Sequence, residues 1–361
     1  MSSPAPHDRP TIGITLGDPG GIGPEIIIKA LVDQPLRRRA RFVIYGFNEL
    51  LTYVADALEV NPFWYRVPHD SERAARRISE DVVVLDYDEL DQAGRVVHEP
   101  SKPGGIASKT FVEEAIRDAQ QPPDHPRHLD AIVTAPISKQ SWQLGGFRWP
   151  GHTELLAHRT KTRRVAMMFA SPKLNVALAT AHIPLIQLRD VLNIGRVFDP
   201  IELGHDACRQ LGIAEPRIAV TGLNPHAGEG GQFGHEEIQI IEPAIQMARS
   251  HGIDVTGPFP ADTIFNQAVR GRYDLVVAMY HDQGLIPVKL LAWDKAVNWT
   301  IGLPIIRTSP DHGTAFDIAP KYRADAMSMQ SAIELAIDLA TRRRTATAPD
   351  TPAPAPRGRQ R

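Results

Sequence analysis

The chain has 361 residues, 42% hydrophobic and 23% charged, which is globular usage with length for two domains or one large one. Forty basic and 42 acidic residues leave a formal charge of -2, so the balance calls for neither nucleic acid nor an anionic membrane, and a small-molecule partner is expected. One cysteine, Cys208, excludes an intramolecular disulfide framework and a cysteine zinc cluster, and no apolar run has the length of a membrane span or a signal segment, which points to the cytoplasm.

Residues 1–10 are polar and Pro-containing, and read as a disordered N-terminus. Thr11 to Leu16 then reads as a buried strand, followed by the glycine loop Gly17 to Pro24 and an apolar helix from Glu25 to Val32. Such a loop can offer backbone amides to an anion, or the glycines can simply make a tight turn. Its spacing lacks the third glycine of a dinucleotide fingerprint, and the next strand, Arg41 to Tyr45, ends without a ribose-binding acid. Further elements are a strand at Val82 to Leu85, a helix from Ala107 to Gln120 and a strand at Ala131 to Thr134 that closes on Lys139. His152 and Thr153 open the next helix, where they can seat a phosphate or carboxylate, or where Thr153 can simply be the N-cap.

Val165 to Phe169 and Leu174 to Thr180 read as a hairpin around Ser171-Pro-Lys. A helix follows from Asp199 to Leu211, with Asp199 as N-cap, Pro200 in its first turn and Cys208 packed as an inert thiol. Next come a strand at Arg217 to Val220, a glycine-rich loop around His226 and Glu229 whose backbone must lie close to something, and a helix from Glu236 to His251. The strand Leu275 to Met279 delivers His281 and Asp282 into a Gly-containing turn, with Lys289 shortly after. The last helix spans Asp325 to Ala340, and residues 341–361 read as a disordered, Arg- and Pro-rich tail.

Three of the 14 histidines share one context, just after an apolar strand and beside a turn residue: His182, His226 and His281. Strand ends at one edge of an α/β sheet converge on a crevice, and three imidazoles there suit Zn²⁺ or a similar divalent ion acting as a Lewis acid. Asp282 would orient His281, and Lys289 would hold an anionic group or exchange a proton.

The run from Thr15 to Glu25, Gly151-His-Thr-Glu154, His182-Ile-Pro-Leu185, Asn224-Pro-His-Ala-Gly-Glu-Gly-Gly231, Pro260-Ala-Asp-Thr263, Met279-Tyr-His-Asp-Gln-Gly284 and Gly302-Leu-Pro-Ile-Ile-Arg-Thr-Ser309 occur in order. Together they resemble the 4-hydroxythreonine-4-phosphate dehydrogenase family of pyridoxal phosphate biosynthesis. The resemblance implies an α/β, isocitrate/isopropylmalate dehydrogenase-like fold with a deep cleft between two α/β/α subdomains, residues 11–130 with 290–340 and residues 131–289. It also implies a homodimer whose shared sites each hold one divalent metal (Zn, Mg or Co) on His182, His226 and His281, His281 completing its site with the other subunit's histidines.

By the same resemblance, His152, Thr153, Lys289, Asn298 and Arg307 bind substrate. Asp311, His312, Gly313, Thr314, Asp317 and Ile318 form the cofactor loop for NAD or NADP. The implied reaction oxidises the 3-hydroxyl of 4-phosphohydroxy-L-threonine to a β-keto acid, which decarboxylates to 3-amino-2-oxopropyl phosphate. Lys289 or a metal-bound hydroxide would take the alcohol proton, with Asp282 as the second catalytic residue. Relatives in the family oxidise 4-phospho-D-threonate, 4-phospho-D-erythronate or aromatic cis-dihydrodiols. A reading of another class is a metal-dependent hydrolase, with Asp262, Asp282 or Glu229 beside the histidines; a third is a non-catalytic binding protein on the same fold.

Overall fold

A computed structural model describes residues 9–76, 79–90 and 96–347. Residues 1–8 of the expected disordered N-terminus and 348–361 of the expected tail lie outside the described residues. Among those described, twelve strands form one sheet: β1 (Thr11–Thr15), β2 (Arg41–Gly46), β3 (Tyr65–Pro68), β4 (Val82–Asp86), β5 (Ala131–Thr134), β6 (Ala166–Ala170), β7 (Val176–Leu178), β8 (Ile218–Thr221), β9 (Val255–Phe259), β10 (Leu275–Ala278), β11 (Val297–Ile301) and β12 (Ile306–Pro310). Their order is β3-β4-β2-β1-β5-β12-β11-β6-β7-β10-β8-β9.

β2, β4 and β5 are buried along their whole length, as short apolar strands of a parallel sheet covered on both faces should be. β11 runs antiparallel to both β12 and β6, and β6 antiparallel to β7. The two parallel halves therefore point in opposite directions and meet at β11 and β6. β5 pairs with β1 and β12, on the side of the N-terminal strands. A second, smaller core lies where Leu285 and Val288 of the helix His281–Ala292 cover Val176, Leu178 and Val276 of the sheet.

Several expected boundaries move. Arg9 is paired with Asp81 and the Pro10 carbonyl accepts from Arg41 N, so these two residues are ordered. The helix expected from Asp199 starts at Ile194, where Asn193 Oδ1 accepts from Arg196 N at 3.0 Å, and Pro200 lies inside it. His281 opens a helix where a turn was expected; Gly284 lets that helix approach the sheet, since a Cβ there would come within 2.8 Å of Leu178 and Val176 side chains. The final helix runs from Met327 to Thr347, so the tail's first seven residues are helical. Arg343 donates to the Pro304 carbonyl and Arg344 to that of Arg9, tertiary contacts that composition does not reveal.

The Gly17–Pro24 loop is buried and its amides are engaged: Asp18 N by Pro136 O, Gly20 N by Asp18 Oδ1, Gly21 N by Asp18 O and Ile22 N by Thr314 O. The glycines serve packing, for a Cβ on Gly23 would lie 2.1 Å from the Leu16 carbonyl. Burial raises the Asp18 carboxyl above its ordinary range, against hydrogen bonds from Ser141 and Gly20.

Candidate active site

A cleft of about 390 Å³ opens where the segment after β5 faces β11, β12 and the loop that follows β12. Thr134, Lys139, His152, Thr153, Glu154, His182, Asn298, Arg307, Ser309 and Asp311 to Gly313 line it. The β11–β12 register sets Asn298 opposite Ser309.

Arg307 defines the chemistry. It is 2% exposed, and its guanidinium donates to the Thr134 hydroxyl at 2.7 and 3.1 Å and to the Thr300 hydroxyl at 2.9 Å. Among the described residues no carboxylate lies within ion-pair distance of Arg307 or of Lys139. Burial pushes Arg307 down to about 9, the Glu154 charge opposing, so it stays cationic at neutral pH. A buried cation held by neutral hydroxyls is costly unless an anion reaches it, and a guanidinium fork suits carboxylate or phosphate.

His152 stands beside it at the start of the helix His152–Arg159, whose N-cap is Gly151 and which no side chain caps. Its ring meets buried Trp142 edge-on at 5.6 Å, and Trp142 is fixed by Ser108 Oγ. Burial first, then the Arg307 and Lys139 charges, drive the imidazole well below its ordinary range, so it is neutral. His152 Nε2, Asn298 Oδ1 and His312 Nε2 are buried without a hydrogen-bond partner, three polar atoms of one cleft suited to a ligand.

The expected cofactor loop is divided. Asp311, His312 and Gly313 line the cleft; Thr314 packs against Gly21, Ile318 against the core, and Asp317 is exposed. Lys289 reaches this loop from the helix His281–Ala292, with Nζ 2.8 Å from Asp311 Oδ2 and 3.3 Å from Asp311 O.

The three histidines follow β7, β8 and β10, which are parallel neighbours and end on one edge. His182 and His281 lie together, ring centroids 5.6 Å apart, in one chain. Asp282 Oδ1 is 2.7 Å from His281 Nδ1, a contact that orients the ring and, with the proton on Nδ1, leaves Nε2 as the nitrogen able to bind an ion. Burial, then the Lys139 and His281 charges, keep His182 below its ordinary range and so neutral. His226 is elsewhere, beside Phe233 at 6.2 Å, in a run from His226 to Gly230 with φ between 44° and 81°. Among the described residues no three His, Cys, Asp or Glu side chains gather to hold an ion. The donors of the His182–His281 pair thus fit a divalent metal, and the set is incomplete within one chain.

Sequence reasoning missed two supporting residues. Buried Glu237 accepts from Leu223 N and Asn224 N, both at 2.7 Å; it is what the glycine-rich loop lies against. Gln283, inside the Met279–Gly284 motif, bonds to both neighbouring strand ends, and its helical position four residues after Met279 was the available signal. Cys208 is buried and pushed up to about 12 by burial, an inert thiol as expected. Among the described residues no helix is long and apolar enough to cross a membrane.

These features define an α/β enzyme whose cationic cleft takes a small anionic substrate. The family model "Pyridoxal phosphate biosynthetic protein PdxA" matches residues 38–336. D-threonate 4-phosphate dehydrogenase of Cupriavidus necator is 45% identical, over 92% of this chain and 98% of that protein. 4-hydroxythreonine-4-phosphate dehydrogenase of Desulforapulum autotrophicum is 43% identical, over 92% and 96%. The crystal structure of 4-hydroxythreonine-4-phosphate dehydrogenase from Klebsiella pneumoniae superimposes with a TM-score of 0.81 at 43% identity, covering 92% of this chain and 98% of that one. The chain belongs to this PdxA family of NAD(P)-dependent dehydrogenases and shares the family's α/β fold.

Proposed function

We propose that the chain oxidises the 3-hydroxyl of 4-phosphohydroxy-L-threonine with NAD or NADP and a divalent metal, giving a β-keto acid that decarboxylates to 3-amino-2-oxopropyl phosphate. The observation that carries this reading is Arg307, a buried guanidinium without a carboxylate in a cleft that also holds Lys139 and the start of the helix at His152. When bound, the ion polarises the reacting hydroxyl and the nicotinamide accepts the hydride. Arg307 and Thr153 hold the phosphate end, neutral His152 and Asn298 hydrogen-bond the substrate, and His182 and His281 carry the ion with Asp282 orienting His281. Lys289 takes the proton of the reacting hydroxyl as the hydride leaves, and Asp311, 2.8 Å away, holds the ammonium so formed. Its positive field stabilises the enolate left when CO₂ departs. Asp311, His312 and Gly313, which line the cleft, are in this reading the loop residues that meet the cofactor, and Glu154, also in the cleft, suits the substrate ammonium.

A second reading, 4-phospho-D-threonate oxidation, is favoured by the near-equal identity to the Cupriavidus necator protein. The two substrates differ at the amino-bearing carbon, so the decisive measurement is NADH formation on each, with and without chelator. Faster turnover of 4-phosphohydroxy-L-threonine that is lost with chelator is expected; a preference for the threonate sinks the assignment.

We further propose a homodimer in which His226 of one subunit joins His182 and His281 of the other. Exposed apolar residues support it on both sides: Ile186 at 87%, next in sequence to Leu185 of the crevice that holds His182 and His281, Leu290 at 82% and Trp293 at 71% toward the far end of the His281–Ala292 helix, and Phe233 at 51% beside His226. The two-subdomain division is kept as a proposal, with β5 moved to the first unit to follow its pairing with β1. A cytoplasmic setting fits a nicotinamide enzyme with a single buried thiol.

A further inference from the structure

Four side-chain hydrogen bonds tie the three histidine-bearing strand ends to one another. Thr180, two residues before His182, donates from Oγ1 to the Met279 carbonyl at 2.7 Å, and Met279 is two residues before His281. Gln283, two residues after His281, accepts from Met279 N at 2.7 Å and from Thr221 Oγ1 at 2.8 Å, and donates from Nε2 to the Gly222 carbonyl at 2.8 Å. Gly222 leads into the His226 loop, whose Leu223 and Asn224 amides are held by Glu237.

Gln283 is the centre of this arrangement. It is buried, its amide oxygen serves two donors and its nitrogen serves a carbonyl, so it spans the ends of β10 and β8 with directional bonds. No other amide orientation satisfies these partners, because Met279 N needs an acceptor and the Gly222 carbonyl needs a donor. The His226 loop adds rigidity: its left-handed run has few alternative conformations for non-glycine residues.

We propose that Gln283 is a positioning residue for metal binding: through Met279 it fixes the strand end that carries His281 and its spacing from His182 of the same chain, and through Gly222 it holds the start of the loop that offers His226 to the other subunit's ion. This rests on the metal reading given above. Its effect is on ligand geometry, as expected of a hydrogen-bonding partner one step removed from the ion.

The test uses the full-length metal-free protein and Co²⁺ as probe, read by competition with a chromophoric chelator and by the visible Co²⁺ spectrum. Two variants are compared with wild type, Gln283→Glu, which replaces the donor to Gly222 by an acceptor, and Thr221→Val, which removes one donor to Gln283 at constant shape. Weakening of Co²⁺ binding by about ten- to a hundredfold, with an altered ligand-field spectrum and an unchanged melting temperature of the metal-free protein, is expected in at least one folded variant. Wild-type affinity and spectrum in the folded variants overturn the proposal. His281→Ala separates the two levels: if it binds Co²⁺ as wild type does, the metal reading fails and this inference with it, whereas if it loses Co²⁺ while both variants keep it, this inference alone fails.

Discussion

Arg307 places a cost on the fold for the sake of binding. Replacing it by methionine removes an uncompensated buried charge at similar volume, so the ligand-free Arg307→Met protein is expected to melt at or above the wild-type temperature. The same change should lower kcat/KM by about a hundredfold or more, since charge-assisted hydrogen bonds to an anion are lost. A stability loss with unchanged kinetics would refute that division of roles; calorimetry and initial rates decide it.

His152 gives a pH signature at the same scale. Its folded-state value is depressed, chiefly by burial, so the unfolded chain takes up the proton first and folding stability falls as pH drops below about 6.5. His152→Asn should flatten that acid limb, measured as urea midpoints at pH 5 and pH 8. Composition exposed these residues only in part. His152 and Arg307 were legible through motifs, but the hydroxyls that hold Arg307, Thr134 and Thr300, come from strands 166 residues apart and carry no local signal.

Among the elements, strands such as β4 and β5 were legible because each is a short apolar run bounded by turn residues, whereas β11 and β12, whose apolar residues are interrupted by Asn298, Thr300, Arg307 and Ser309, were not read as strands. Helix starts were less so. Pro200 reads as a first-turn residue, yet the helix begins six residues earlier at Ile194 under the Asn193 cap. Asn193→Ala should therefore destabilise the protein by about 1 kcal/mol, and Asp199→Ala at the formerly expected cap should have no capping effect; chemical denaturation of both variants separates the two boundaries. The helix at His281 was read as a turn because Gly284 and Pro287 break helices in isolation. Packing against Val176 and Leu178 overrides that propensity, and it also fixes where His281 begins.

For the whole molecule, the sheet's two oppositely directed halves bring the cleft and the histidine pair into one chain and leave His226 apart. A twofold dimer in which His226 crosses over has a simple genetic consequence. His182→Ala and His226→Ala homodimers should both be inactive, while a re-associated mixture regains about a quarter of wild-type activity, because half the dimers are mixed and each has one intact site. No recovery in verified mixed dimers would place all three ligands otherwise. The resemblance implied that His281 meets the other subunit's histidines; because His182 and His281 already lie together in one chain, the proposed assembly gives the crossing to His226, a distinction that periodicity cannot make since it reports only a face's polarity.

The loop Gly17–Pro24 has a further consequence for how variation in such chains is interpreted. The Asp18, Gly20, Gly21 and Ile22 amides are already occupied by protein acceptors, and a methyl group on Gly23 would strike the Leu16 carbonyl. A glycine run that resembles a nucleotide signature is thus a tolerance limit on core assembly. Substitutions there should register in expression yield and thermal survival, and leave the Michaelis constant for nicotinamide in the surviving folded fraction where it was.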